Sequence, residues 1–202
     1  MIKEKSKPEI EVVSYKSGWP KLFEQEAKKL RTIFGKNLLL IKHYGSTSIP
    51  GMLAKPIIDI LLGVKTIEVA DSMNQSLLAI NYIAQGEFGV KGRRFFTKSN
   101  AIRRLCHLSI FAMDNQELLR QVRFNDYLRI HSKEAQQYSQ LKQQLANQYA
   151  YDAKGYSNAK REFIAELHLK AEIWEKEHRL CQTIKCYLGF DNTVGDFARH
   201  SC

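Results

Sequence analysis

His43-Tyr44-Gly45-Ser46-Thr47-Ser48-Ile49-Pro50-Gly51 and, a few residues on, Lys55-Pro56-Ile57-Ile58-Asp59-Ile60-Leu61 decide how this chain is read. The first run closes an apolar, β-rich stretch, Leu38 to Tyr44, with the glycines, hydroxyls and proline of a turn. The second opens a strand, Pro56 to Val64, whose aliphatic run is broken by a single carboxylate. Twelve residues lie between Ser46 and Asp59. Gly45 lets the backbone approach an anion, and the hydroxyls and N–H groups of Ser46, Thr47 and Ser48 can donate to its oxygens. Asp59 is flanked as a residue of a buried parallel strand would be. A lone carboxylate there is costly to desolvate unless paired, protonated or metal-bound, so it asks for a cation.

Outward from this pair the chain alternates strand and helix. The first nine residues are polar and Lys-rich, a frayed terminus. Ile10 to Tyr15 reads as a short strand, and Trp19 to Phe34 as a helix with Leu22, Phe23, Ala27, Leu30 and Phe34 at helical spacing, closed by Gly35. Thr66 to Ile80 reads as a helix, Phe88 to Val90 and Arg94 to Thr97 as a hairpin around Gly92, and Arg104 to Phe111 as the last strand. From Asn115 to about Leu180 the pattern is helical. The expectation is therefore an α/β (α+β) protein: a mixed sheet with packed helices over 10–114, a helical C-terminal half over 115–180 of the same domain, and an unassigned tail over 181–202.

With 202 residues, 44% of them hydrophobic, the chain can bury a core without disulfide or metal staples. Its apolar runs are too short to span a bilayer, and no basic-then-apolar leader opens it, so the reading is a cytoplasmic protein without a membrane partner. Cys106, Cys181, Cys186 and Cys202 form no C-x-x-C pair and read as reduced thiols. The net charge of +10 favours anionic partners: nucleotides, phosphorylated small molecules or nucleic acid. The basic residues are dispersed, which disfavours a nucleic-acid-binding arm.

A Gly-Ser turn followed at this distance by a strand-borne Asp resembles the nucleotidyltransferase superfamily. More narrowly the chain resembles the GrpB family, in Val13-Ser14-Tyr15 with Trp19, Phe23, Glu26 and Leu30, and in the run from His43 to Asp59. The likeness continues through His107, Arg123-Phe124-Asn125-Asp126-Tyr127-Leu128-Arg129, Tyr156, Lys160 and Phe163, covering residues 10 to 178. It implies a nucleotidyltransferase-like sheet and a metal-dependent nucleotidyl or phosphoryl transferase. In that reading a nucleoside triphosphate sits on Gly45, Ser46, Thr47 and Ser48, Asp59 binds Mg²⁺, Lys55 or Arg123 offsets developing charge, Lys160 is brought toward the phosphates by the C-terminal helices, and His107 is the general base.

The superfamily usually carries a second carboxylate two residues after the first, on the same strand face; here that position is Leu61. Neither His107 nor Ser109 supplies an acid from the neighbouring strand. One Asp with a His and hydroxyls is a poor two-metal site but leaves room for a single Mg²⁺ held largely by substrate phosphates, and a non-catalytic nucleotide- or phosphate-binding protein or a scaffold stands as the alternative. Other readings stay open residue by residue. His43 can hydrogen-bond the loop, His107 can be a satisfied core histidine, Arg123 can pair with Asp126, and Lys160 can be solvated at a helix start.

Overall fold

The computed structural model describes residues 10–187, with side chains through 178. Residues 1–9 and the tail beyond 187 lie outside the described residues. The expected helix over 19–34 forms as α1 (Trp19–Phe34), with Pro20 in its first turn and Gly35 at φ 49° ending it. Its periodicity buries Trp19, Phe23, Ala27, Leu30 and Phe34 on one stripe. Each large side chain so buried is worth about 1.5–3 kcal/mol.

Five strands follow, β1 (Leu38–Tyr44), β2 (Ile58–Val64), β3 (Ile83–Ala84), β4 (Arg94–Ser99) and β5 (Arg104–Ala112), in sheet order β1-β2-β5-β4-β3. β2 and β5 are parallel and central; every other pairing is antiparallel. Ile58, Ile60, Leu62 and Val64 face the same layer as Leu108 and Ile110, and there α1 packs with Ala70 and Leu77 of α2 (Ile67–Ser72) and α3 (Asn74–Ala79). The opposite face carries Asp59, Leu61, His107, Ser109 and Phe111, since side chains alternate along a strand.

After Asn115 the described chain is helical: α4 (Gln116–Ile130), α5 (Ser132–Gln148), α6 (Ala153–Ala159) and α7 (Arg161–Tyr187). Leu118 of α4 closes over Leu61 and Phe111, covering part of the opposite sheet face. Farther out, Ile49 and Met52 of the loop after the Gly45 turn are clamped among Tyr127, Leu128, Ala135, Tyr138 and Leu167 of α4, α5 and α7.

Three local expectations are corrected. Ile10 to Tyr15 is not a strand; among the described residues its only ladder contact is the Val13–Ala54 bridge, with Val13 N–H and Ala54 N–H each donating to the other residue's carbonyl at 2.9 and 3.0 Å. Phe88 to Val90 is not the outer arm of the hairpin; β3 pairs with β4 instead, and residues 86–92 are a turn with Gly86, Phe88, Gly89 and Gly92 at positive φ. The helix over 66–80 is broken at Met73 into α2 and α3.

Candidate functional site

Register brings the chemistry together. Tyr44 of β1 stands opposite Asp59 of β2, and Asp59 opposite His107 of β5. His107 Nδ1 lies 3.0 Å from Asp59 Oδ1, so the strand carboxylate has found its partner across the sheet. A carboxylate oxygen accepts, so Nδ1 carries the hydrogen, and the tautomer this selects has its lone pair on Nε2. The ring is backed by Phe95 of β4 at a centroid distance of 5.3 Å. Burial pushes the Tyr44 phenol well above its ordinary range, and its hydroxyl pairs with Ser109 Oγ at 3.1 Å.

Gly45 is fixed by two independent constraints. Its φ of 69° is left-handed, and a Cβ there would meet Asp59 Oδ2 at 2.6 Å. The residues after it form one 3₁₀ turn, Ser46–Ser48. Most of their hydroxyls are used inside the turn. Ser48 Oγ–H donates to Gly45 O at 2.7 Å and stands 3.1 Å from the Asn125 side chain. Thr47 Oγ–H donates to Ile57 O at 3.3 Å and pairs with His43 Nε2 at 3.0 Å. Since Thr47 has spent its proton, His43 Nε2 is the donor. His43 lies stacked on Phe23 of α1 at 4.9 Å, and burial lowers its pKa to about 4. Thr47 and Ser48 therefore shape the turn with their side chains, and Ser46 is the hydroxyl left for the cleft.

That cleft, about 120 Å³, is lined by Ser46, Thr47, Ala54, Lys55, Ile57, Asp59, His107, Lys142, Tyr156 and Lys160. Lys55 and Lys160 both hold their ammonium groups over the Tyr156 ring, at 4.6 and 4.2 Å from its centroid. Burial drives Lys160 down to about 8, with Lys55 adding to the effect and Asp59 opposing it. Lys142 of α5 is 3% exposed and donates to Ser46 Oγ at 2.7 Å and to Leu53 O. Its pKa falls to about 7 through burial first and the nearby Lys160 second.

Of the residues expected at the site, Gly45, Ser46, Thr47, Lys55, Asp59, His107 and Lys160 surround one cleft, and Lys160 sits between α6 and α7. Ser48 stands behind the turn. Arg123 is elsewhere: its guanidinium is ion-paired with Glu175, joining α4 to α7. Lys142 went unnoticed, although its sequence position carries a signal. It lies four residues from both Tyr138 and Ala146, on the buried stripe of an otherwise amphipathic helix. A lysine there is out of place unless it has work to do.

The donor set does not fit the pair of Mg²⁺ ions that the superfamily resemblance implies. Leu61 is fully buried against Phe111 and Leu118, one Asp59 oxygen is taken by His107, and lysines occupy the space where hard oxygen ligands are needed. Among the described residues no group of three His, Cys, Asp or Glu side chains is placed to hold a metal. Among the same residues no helix is long and apolar enough to cross a membrane.

The family model described as GrpB protein matches residues 9–170. The chain is 35% identical over 192 residues to the UPF0157 protein YqkA of Bacillus subtilis, which covers 95% of this chain and 56% of YqkA, so it spans little more than half that relative's length. With the glutamate-rich protein GrpB of Alkalihalophilus pseudofirmus it shares 31% identity over 166 residues, 80% of this chain and 95% of the relative. The crystal structure of conserved protein GrpB from Enterococcus faecalis matches with a TM-score of 0.76 at 38% identity, over 81% of this chain and 99% of that one. Matched from the first bridge at Val13 into α7, and through every residue that lines the cleft, the chain belongs to the GrpB family.

Proposed function

We propose that the cleft binds the phosphate of a phosphorylated ligand, a nucleotide or another phosphorylated small molecule, and that lysines do there what Mg²⁺ does in the nucleotidyltransferases whose sequence motif this chain resembles. One observation carries this: Lys55, Lys142 and Lys160, from a loop, a helix and a helix junction far apart in sequence, converge on a cleft with one carboxylate. Buried ammonium groups crowded together are unfavourable unless an anion joins them. Ser46 Oγ adds a hydroxyl at the same place. The cleft is smaller than the roughly 300–1,000 Å³ of a pocket that engulfs a small molecule. It suits a phosphoryl group, with the rest of the ligand outside.

Metal-dependent nucleotidyl transfer is the competing reading, and Leu61 weighs against it. Both are tested by thermal shift with inorganic phosphate, pyrophosphate and nucleoside mono-, di- and triphosphates, with and without Mg²⁺. A ligand at about 100 times its Kd stabilises by about 2.7 kcal/mol, roughly 5–10 °C for a domain of this size. Stabilisation by phosphate-bearing compounds without Mg²⁺ is expected. Stabilisation that appears only with Mg²⁺ would overturn the lysine-based reading, and none at all would overturn phosphate recognition.

A further inference from the structure

We propose that His107 is a nucleophile, its Nε2 accepting a phosphoryl group from a phosphorylated compound bound in the cleft; this rests on the phosphate reading above. Three features of the geometry converge. Asp59 Oδ1 holds Nδ1 at 3.0 Å, which orients the ring and leaves its lone pair on Nε2. The His107 side chain is 26% exposed and lines the same cleft as Ser46, Lys142 and Lys160, so a phosphate held there lies before the free edge of the imidazole. Phe95 packs against the ring and restrains it from turning away.

The alternatives in the cleft are weaker. Ser46 Oγ accepts from Lys142 Nζ, and a Lys142 ammonium that neutralises a bound phosphate cannot at the same time take the hydroxyl's proton. Asp59 has one oxygen engaged by the imidazole, and a carboxylate carries the same sign of charge as the phosphate it would attack. Phosphoryl transfer needs an in-line nucleophile and cations on the phosphoryl oxygens, and lysines can supply those charges without a metal.

The step balances without a co-reactant. The Nε2 lone pair attacks phosphorus, the N–P bond forms and the bond from phosphorus to the leaving oxygen or nitrogen breaks. The leaving atom takes a proton from an ammonium group of Lys142 or Lys160, which solvent restores. Attack by water or by an acceptor hydroxyl on phosphorus, its proton passing to solvent, then breaks the N–P bond and returns the lone pair to Nε2.

The test uses the full chain and phosphoramidate, a small donor that phosphorylates imidazole nitrogen directly. Phosphorylation is followed by ³¹P NMR and intact mass, and the site is mapped by peptide sequencing after alkaline work-up. An acid-labile phosphoryl group is expected on Nε2 of His107, forming on the order of tenfold or more faster than in the urea-unfolded chain or in Lys142→Met and Lys160→Met. His107→Gln and His107→Asn, shown to be folded by circular dichroism, abolish the label. Asp59→Asn, acting as a change in a positioning residue, yields a mixture of Nδ1 and Nε2 phosphohistidine, which a merely structural role would not produce. An unlabelled folded protein, a label on another residue, or one that persists in both His107 variants overturns the proposal. If phosphate still stabilises the unlabelled wild type, the binding reading stands alone; if it does not, both fall.

Discussion

A methyl group on Gly45 would stand 2.6 Å from Asp59 Oδ2, so the turn and the strand carboxylate can exist only together, one lacking a side chain because the other carries an acid. Gly45→Ala is expected to lose about 1–3 kcal/mol in urea denaturation, through this clash and the left-handed φ of 69°. Part of the loss should vanish when Asp59 is also alanine. A double-mutant cycle should give a coupling of about 0.5–3 kcal/mol; strict additivity would mean that the two residues do not share the space.

Leu61→Asp restores the second carboxylate that the superfamily pattern carries and this chain lacks, yet it should not create a metal enzyme. Position 61 is fully buried against Phe111 and Leu118, so the new acid is desolvated in an apolar cluster. The expected result is a loss of about 3 kcal/mol or more, unrelieved by Mg²⁺. Mg²⁺-dependent recovery of the melting temperature would contradict this assignment.

Anion binding should weaken as pH rises through the lysine range. Sulfate is the useful probe because its charge stays constant where phosphate titrates. Lys142 and Lys160 lose their protons at about 7 and about 8, and a bound anion favours their charged forms, so binding takes up protons. Stabilisation by sulfate should be greatest below about pH 7 and small by about pH 9, with Lys55, Asp59 and His107 facing the same space. Without an anion the sign reverses. The unfolded lysine keeps its proton up to its ordinary value of 10.5, so Lys142 contributes stability that rises with pH between about 7 and 10.5. Lys142→Met should flatten both dependences in melts recorded across pH.

A second cluster, behind the sheet, governs acid stability. Burial pushes Glu26 up, but hydrogen bonds from Lys29 and Lys98, with their charges, more than reverse this, and its pKa is lowered from 4.5. Lys98 reaches both carboxylate oxygens, at 3.0 and 2.8 Å, and Tyr82 donates to one of them at 3.1 Å. The stabilisation is complete above about pH 4.5 and is lost as pH falls through the lowered value. Glu26→Gln should cost about 2 kcal/mol or more at pH 7 and remove that part of the acid transition.

Where side chains repeat with a clear period, the sequence was sufficient. α1, β1 and the pairing of Gly45 with Asp59 follow from spacing, because helix stripes and turn glycines answer to local rules. What stayed hidden depends on distant partners. Arg123 looks like a phosphate clamp until Glu175, far along the chain, takes it. Phe88 has the composition of a strand residue, yet the surrounding glycines put it at φ 45° in a turn. Lys142 became visible as a site residue only when its helix was seen to lie on Leu53 and Ser46.

The contacts that build the cleft span unusual lengths of chain: 48 residues from Asp59 to His107, and 96 from Ser46 to Lys142. Such closures are entropically late events in folding, made after local helices and hairpins. A ligand of this cleft therefore has nothing to grip until the chain has nearly finished. Added to a stopped-flow experiment, phosphate should leave the refolding arm of the chevron in place and lower the unfolding arm alone. The ligand would act on the lifetime of the native protein, lengthening its persistence without hastening its birth.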